Sequence, residues 1–243
     1  MLRPIIAAAT ALALAACSAA PDRQGRLLRP VAEPSAVIAA EIAFARMARE
    51  KGTWTAFRHY ATRDAHWPRQ GPGPGPQWQS VQDSLKGQAD PAQAIVWAPD
   101  MVWASCDGSF ALSTGPATYP SGRRSRFTTI WQRQNDGEYR WVTDQGFDLE
   151  EGYTEREMIA ARVADCPPRS AAGRETKLAR ARRGESWRSN ASDDRTLAWD
   201  IELRADCSRT LSVKALQGGV MSEVFRGVSS PPVVPAVGAP PTC

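Results

Sequence analysis

The stretch IVWAPDMVWASCDGSFALSTGPATYPSGRRSRFTTIWQRQNDGEYRWVTDQGFD, residues 95–148, decides how the chain is read. Apolar and β-branched runs alternate in it with turn signals at Asp107-Gly108, Gly115-Pro116, Ser121-Gly122 and Asn135-Asp136-Gly137. That alternation predicts consecutive antiparallel strands joined by hairpins. Most of the nine tryptophans lie in or near predicted strands (Trp97, Trp103, Trp131, Trp141, Trp199), where a half-buried pleated face suits them.

Upstream of the strands the period changes. Val37, Ala40, Phe44 and Met47, with Ile38, Ile42, Ala45 and Ala48, recur at helical spacing up to Lys51, with Ser35 as N-cap and Gly52 as the stop. Thr53 opens a second short helix, Trp54 to Ala61, with Trp54, Phe57 and Tyr60 on its apolar side. The alternating Gly and Pro of residues 71–76 form a loop, and Gln77 to Lys86 predicts a third helix. Downstream, Tyr153 to Ala164 reads as a further helix. Leu197–Arg204, Thr210–Gln217 and Val220–Arg226 read as three short strands of an antiparallel meander. The expected class is therefore α+β: helices packed on a strongly curved antiparallel sheet, a cystatin-like cone, followed by a small antiparallel β appendage.

The net charge of +4 is unevenly spread. Residues 169–188 carry seven Lys/Arg against two Glu, so the rest of the chain is close to neutral. This is a basic linker rather than a basic protein, and no RNA- or DNA-binding motif accompanies it, so nucleic acid is not an expected partner. Anionic lipid head groups would suit such a linker, and a solvated connection is its simplest reading.

The N-terminus carries a compartment signal. A short cationic opening, Met1 to Pro4, precedes twelve apolar residues, 5–16. That run is too short to span a bilayer and has the length of a signal-peptide core. It ends in Leu14-Ala15-Ala16-Cys17 followed by Ser18, which resembles a bacterial lipoprotein signal. The resemblance implies loss of residues 1–16, lipidation of Cys17 and stable anchoring by several acyl chains. Ser18, rather than Asp, implies the outer membrane, with the folded part facing the periplasm. The expected organisation is signal 1–16, tether 17–34, α+β domain 35–165, basic linker 166–190, β meander 191–228 and a Pro-rich, disordered tail 229–243.

An exported chain can keep disulfides. Four cysteines other than Cys17 remain, Cys106, Cys166, Cys207 and Cys243, and the sequence does not choose among their pairings. Cys166 with Cys207 is the expected staple of the second half, with free buried thiols as the competing reading. No Cys-x-x-Cys or His/Cys cluster is present, so neither a metal nor another cofactor is expected.

Several segments together resemble the cone-shaped fold shared by nuclear transport factor 2, SnoaL-type cyclases and ketosteroid isomerase. They are FARMAREKGTWTAFRHYATRDA (44–65), WAPDMVWASCDG (97–108), STGP (113–116), FTTIWQRQ (127–134) and WVTD (141–144). The closer likeness is to exported bacterial members without an assigned activity, and it covers about residues 36–148. Such a fold curls its sheet around a pocket. Phe127, Thr129 and Trp131, or the opposite set Thr128, Ile130 and Gln132, would face into it, and alternation alone does not say which. Trp67 and Trp141 are further wall candidates. Asp64 or His66 as base, with Tyr60 or Asp144 as hydrogen-bond donor, would be the parts of an isomerase, dehydratase or cyclase acting on a small apolar substrate. No motif of that family matches residue by residue, so no catalytic role is assigned. The fold hosts enzymes, binders and scaffolds alike. The favoured reading is non-catalytic binding of a small apolar or amphipathic molecule, or envelope assembly through a homodimer or another envelope protein.

Overall fold

The computed structural model describes residues 31–68, 77–167 and 188–231. The expected lipoprotein signal with Cys17, most of the expected tether, the Gly-Pro loop, most of the basic linker and most of the Pro-rich tail, with Cys243, lie outside them.

Helix α1 (Pro34–Lys51) buries Val37, Glu41, Phe44, Ala45 and Ala48, one face at three- and four-residue spacing. It opens at Pro34, whose missing N–H has no helical partner to lose, so Ser35 lies inside the first turn and Glu33 is the cap residue. Gly52, at φ 107°, turns the chain directly into α2 (Thr53–Tyr60). The cap of α2 comes from far away in sequence. Asp90 accepts from Thr55 N at 3.0 Å and Thr55 Oγ1 at 2.6 Å. A Cβ at position 52 would stand 2.2 Å from the Asp90 carboxyl carbon, so this junction also requires glycine for space.

The helix expected from Gln77 to Lys86 is only partly formed. Trp78–Ser80 is strand β2, paired antiparallel with β1 (His66–Pro68), and only Val81–Ser84 is helical, as α3. Ser80 is its cap, accepting from Asp83 N at 3.3 Å.

The main sheet holds β3 (Val96–Trp97), β4 (Met101–Ala104), β5 (Phe110–Thr118), β6 (Arg124–Arg133), β7 (Tyr139–Phe147) and β8 (Ala160–Val163), in the order β7-β6-β5-β4-β8 with β3 also on β5. Gly115-Pro116 is not a turn; it lies within β5. Its glycine answers a close approach, because a Cβ there would sit 2.2 Å from the Ala98 carbonyl oxygen.

The helix expected from Tyr153 to Ala164 is replaced by a loop and β8, which runs parallel to β4. Long-range contacts override the local helical period. Buried Arg126 reaches Glu150 at 3.1 Å and Asp100 at 3.6 Å, and Tyr153 Oη donates to Asp100 Oδ2 at 2.5 Å. These contacts pin the segment to the sheet, and Ala160 N and Ala164 N then donate to the Asp100 and Ala104 carbonyls, both at 2.9 Å.

The same register corrects the disulfide. Ala104 is opposite Val163, so just beyond the ends of the two strands Cys106, two residues on, and Cys166, three residues on, come side by side and are bonded, with Cα atoms 5.2 Å apart. The expected Cys166–Cys207 bridge is absent. Cys207 is disulfide-bonded as well, though not to Cys166.

Strands β9 (Ser189–Ala191), β10 (Leu197–Leu203), β11 (Arg209–Gln217) and β12 (Val220–Ser229) form a second antiparallel sheet in the order β12-β11-β10-β9. It is more than an appendage, since it shares a core with the main sheet. Trp103, Phe110, Leu112, Ile130, Val142 and Phe147 from the first sheet pack with Leu197, Trp199, Ile201, Leu211, Val213 and Phe225. Each such side chain, fully buried, contributes on the order of 1.5–3 kcal/mol before entropy. Gly227 lets the sheets approach, since a Cβ there would lie 2.7 Å from the Phe147 ring.

The opposite face of the main sheet carries α1 and α2 over a second core that includes Phe44, Phe57, Trp97, Phe127, Trp131 and Trp141. The result is an α+β cone: helices inside the curve, extra strands outside it.

Candidate functional site

The interior of the cone is decided by one irregularity. On β6, Phe127 and Trp131 point to the helices and Ile130 points to the second sheet. On β7, Trp141 pairs with Trp131, but the register shifts so that Thr143 pairs with Ile130 and Asp144 with Thr129. The bulge at Val142 reverses the alternation, so Asp144 faces the cone although simple alternation from Trp141 would turn it outward.

Thr129 Oγ1 donates to Asp144 Oδ2 at 2.7 Å. Deeper in the cone is a second carboxylate that sequence reading passed over, Glu41 of α1. It is fully buried and accepts from Trp97 Nε1 at 2.7 Å, Trp131 Nε1 at 3.0 Å and Ser113 Oγ. The signal was present, because Glu41 stands in the apolar stripe four residues after Val37 and three before Phe44.

Both acids hold their protons more tightly than usual. Burial pushes the Glu41 carboxyl up, against the pull of its hydrogen bonds. Burial likewise pushes Asp144 up to about 8; its bond from Thr129 opposes this and the charge of Glu41 adds to it.

Most of the expected wall residues fill the cone rather than line a space. Trp131 and Trp141 are fully buried, Phe127 and Thr129 nearly or fully so. The Phe44 ring lies 6.2 Å from Trp131 and 6.4 Å from Trp141 between centroids. Tyr60 packs on Phe44 at 5.2 Å, and burial raises its hydroxyl pKa. Asp64 is exposed on a turn, where its carbonyl lies 2.8 Å from His66 Nδ1. None of Tyr60, Asp64 and His66 lines the cavity described next, so the structure does not bring the base candidates to Asp144.

That cavity lies at the mouth of the cone and measures about 1210 Å³. One wall is apolar, made by Trp54, Phe57, Trp67, Leu85 and Ile95. The polar part of the lining includes Asp144 and Gln145 at the end of β7, Asp148 just past it, Arg209 at the start of β11, and Tyr119 and Arg123 from the β5–β6 turn. Of the expected residues, Trp67 and Asp144 belong here. Tyr119 and Arg123 stack, with the guanidinium carbon 3.8 Å from the ring centroid. Arg209 was not foreseen, because its place depends on how the second sheet meets the first. Chemically, this is a cavity with aromatic side chains beside two guanidinium groups and two carboxyls, of which Asp144 stays largely protonated near neutrality.

Among the described residues no group of three or more His, Cys, Asp or Glu side chains is placed to hold a metal ion, and no helix is long and apolar enough to cross a membrane.

The sequence matches no protein family profile and no curated protein. Among solved structures, the chain is similar to an NTF-2-like protein of unknown function from Silicibacter pomeroyi DSS-3 (22% identity, 46% of this chain and 95% of that one, TM-score 0.35). It is also similar to an NTF2-like protein of unknown function from Pseudomonas putida KT2440 (12% identity, 56% and 96%, TM-score 0.34). A third, from Parabacteroides distasonis ATCC 8503, is named as a candidate ketosteroid isomerase (16% identity, 45% and 86%, TM-score 0.34). At these identities and scores the likenesses carry nothing about activity.

Proposed function

We propose that this chain is a non-catalytic binding protein of the bacterial envelope, anchored to the outer membrane by lipid on Cys17 and taking a small amphipathic molecule into the cavity at the mouth of the cone. The observation that carries the reading is the cavity itself, about 1210 Å³ with Trp54, Phe57 and Trp67 on one wall. Its size and half-apolar lining suit a small organic ligand. The anchor rests on the sequence Leu14-Ala15-Ala16-Cys17 after an apolar run.

Native mass spectrometry of the mature protein, extracted from membranes of its own host, tests both parts. The expected spectrum has a mass beginning at a diacylated and N-acylated Cys17, plus a further increment lost on denaturation. A homodimer or mixed complex carrying no small molecule would instead favour envelope assembly.

A second reading is favoured by Asp144, a carboxyl pushed up to about 8 that opens on the same cavity. Such a group can exchange protons near neutrality, as an isomerase or dehydratase requires. Incubating the protein with a cyclic enone in D₂O distinguishes the two. Deuterium uptake seen by NMR, and lost in Asp144→Asn, supports the enzyme; a background rate in the wild type supports the binder.

A further inference from the structure

Two arginines are withdrawn from water near where the sheets meet, Arg126 buried and Arg209 partly so, and they are treated differently. Arg126 has carboxylates, Asp100 at 3.6 Å and Glu150 at 3.1 Å, and donates to Thr114 Oγ1 at 3.0 Å. Arg209 has none: among the described residues it forms no ion pair. Its Nη2 reaches only neutral oxygens, the Gly146 carbonyl and Ser229 Oγ, both at 3.3 Å, and its buried Nε has no hydrogen-bond partner. Asp148 accepts from Ser230 N at 2.7 Å and Ser230 Oγ at 2.6 Å; it forms no ion pair with Arg209, and its charge supports the guanidinium only through space. Burial works against the Arg209 charge. A guanidinium partly removed from water without a counter-ion is unfavourable unless an anion completes it.

Arg209 lines the cavity, and Arg123 lines it too. Resting on the binding reading above, we propose that the cavity is a site for an amphipathic organic acid, its anionic group held by Arg209 with Arg123 at the rim and its apolar body against Trp54, Phe57 and Trp67. A planar acid group matches a guanidinium fork, and the aromatic wall supplies an apolar surface for a ring or alkyl chain. Of the two carboxyls that line the cavity, Asp144 is mostly neutral near pH 7 and does not repel an anion, and Asp148 is held by Ser230, so the two arginines set the sign of the site. A neutral or cationic ligand would leave the Arg209 guanidinium without a direct ion pair.

Two fluorescent probes with the same anilinonaphthalene body test this: 8-anilinonaphthalene-1-sulfonate, an anion, and N-phenyl-1-naphthylamine, which is neutral. Both are titrated into the full mature chain, into Arg209→Met and into Trp67→Ala, with near-UV circular dichroism checking that each variant is folded. The expected wild type binds the sulfonate about tenfold more tightly than the neutral probe, the size of one charge-assisted contact. Arg209→Met removes that preference and leaves the neutral probe within about twofold. Trp67→Ala weakens both. Equal binding of the two probes by the wild type overturns the anion assignment while leaving the cavity as a binding site. Failure to bind either overturns the binding reading itself. Should Arg209→Met not fold, the wild-type preference and its loss at high salt still decide, with Arg209→Lys expected to retain part of the preference.

Discussion

Thr129 and Asp144 face each other across β6 and β7, and the threonine hydroxyl donates to the carboxyl at 2.7 Å inside the cone. The pair leaves Asp144 close enough to Glu41 to feel its charge. Two acids in one dewatered region make stability depend on pH.

The sign follows from the direction of the shifts. Asp144 moves from 3.8 up to about 8 on folding, and Glu41 moves up from 4.5. Between about pH 4 and 8 the folded chain therefore holds more protons than the unfolded one, so stability falls as pH rises through that window. The melting temperature is expected to be higher at pH 5 than at pH 8.5. Asp144→Asn should flatten the fall and be the more stable protein at pH 8.5, each kcal/mol showing as about 2–4 °C. A wild-type melting temperature constant across this range would refute the buried-acid assignment.

Glu41 holds the indole of Trp97, whose N–H donates to this carboxylate at 2.7 Å, whereas Trp131 also reaches Ser113 Oγ at 2.8 Å. Glu41→Leu keeps the volume and strands the Trp97 N–H. The expected loss is about 1–3 kcal/mol in urea unfolding. Glu41→Leu combined with Trp97→Phe should recover part of it, because both partners are then apolar, and a double-mutant cycle reads the coupling directly. Strict additivity would mean that the hydrogen bond contributes nothing.

The Cys106–Cys166 bridge closes a sequence separation of 60 residues and ties β8 to β4 at one edge of the main sheet. Replacing both cysteines with alanine should lower unfolding free energy by about 4 kcal/mol on the chain-entropy scale. The urea midpoint measures it. Cys207 is unaffected by this change, so the protein should still fold.

Ending the chain at residue 167 removes the second sheet and uncovers Trp103, Phe110, Leu112, Ile130, Val142 and Phe147 together. An apolar face of that kind leads to association or precipitation. Size-exclusion chromatography is expected to show aggregate where the full chain elutes as a defined species. A soluble, folded monomer from the short chain would mean that the strands after residue 188 are dispensable for the cone.

Several features were legible because they are local. Val37, Phe44 and Ala48 announce α1 by spacing alone, Gly52 announces its end, and Asp107-Gly108, Ser121-Gly122 and Asn135-Asp136-Gly137 mark real hairpins between strands. Others were misleading for an identifiable reason. Gly115-Pro116 has turn composition but meets a crossing backbone, and residues 153–164 have helical composition but are held extended by Arg126 and Asp100. Glu41 was readable as an acid in an apolar stripe. Asp144 was on the page as a candidate, but which way it points was not.

The sequence by itself determined the first two helices, the hairpin strands of the main sheet, the α+β class and the apolar faces that had to be buried, since these depend on periodicity and on backbone preferences that act over a few residues. Only the tertiary structure decided the rest. The bulge at Val142 turns Asp144 inward, the parallel register of β8 joins Cys106 to Cys166, and the second sheet closes the outer face while bringing Arg209 to the same cavity as Trp67. Each of these depends on which distant segments share a register or a core, and that is settled by packing across the whole chain rather than by any short stretch of it.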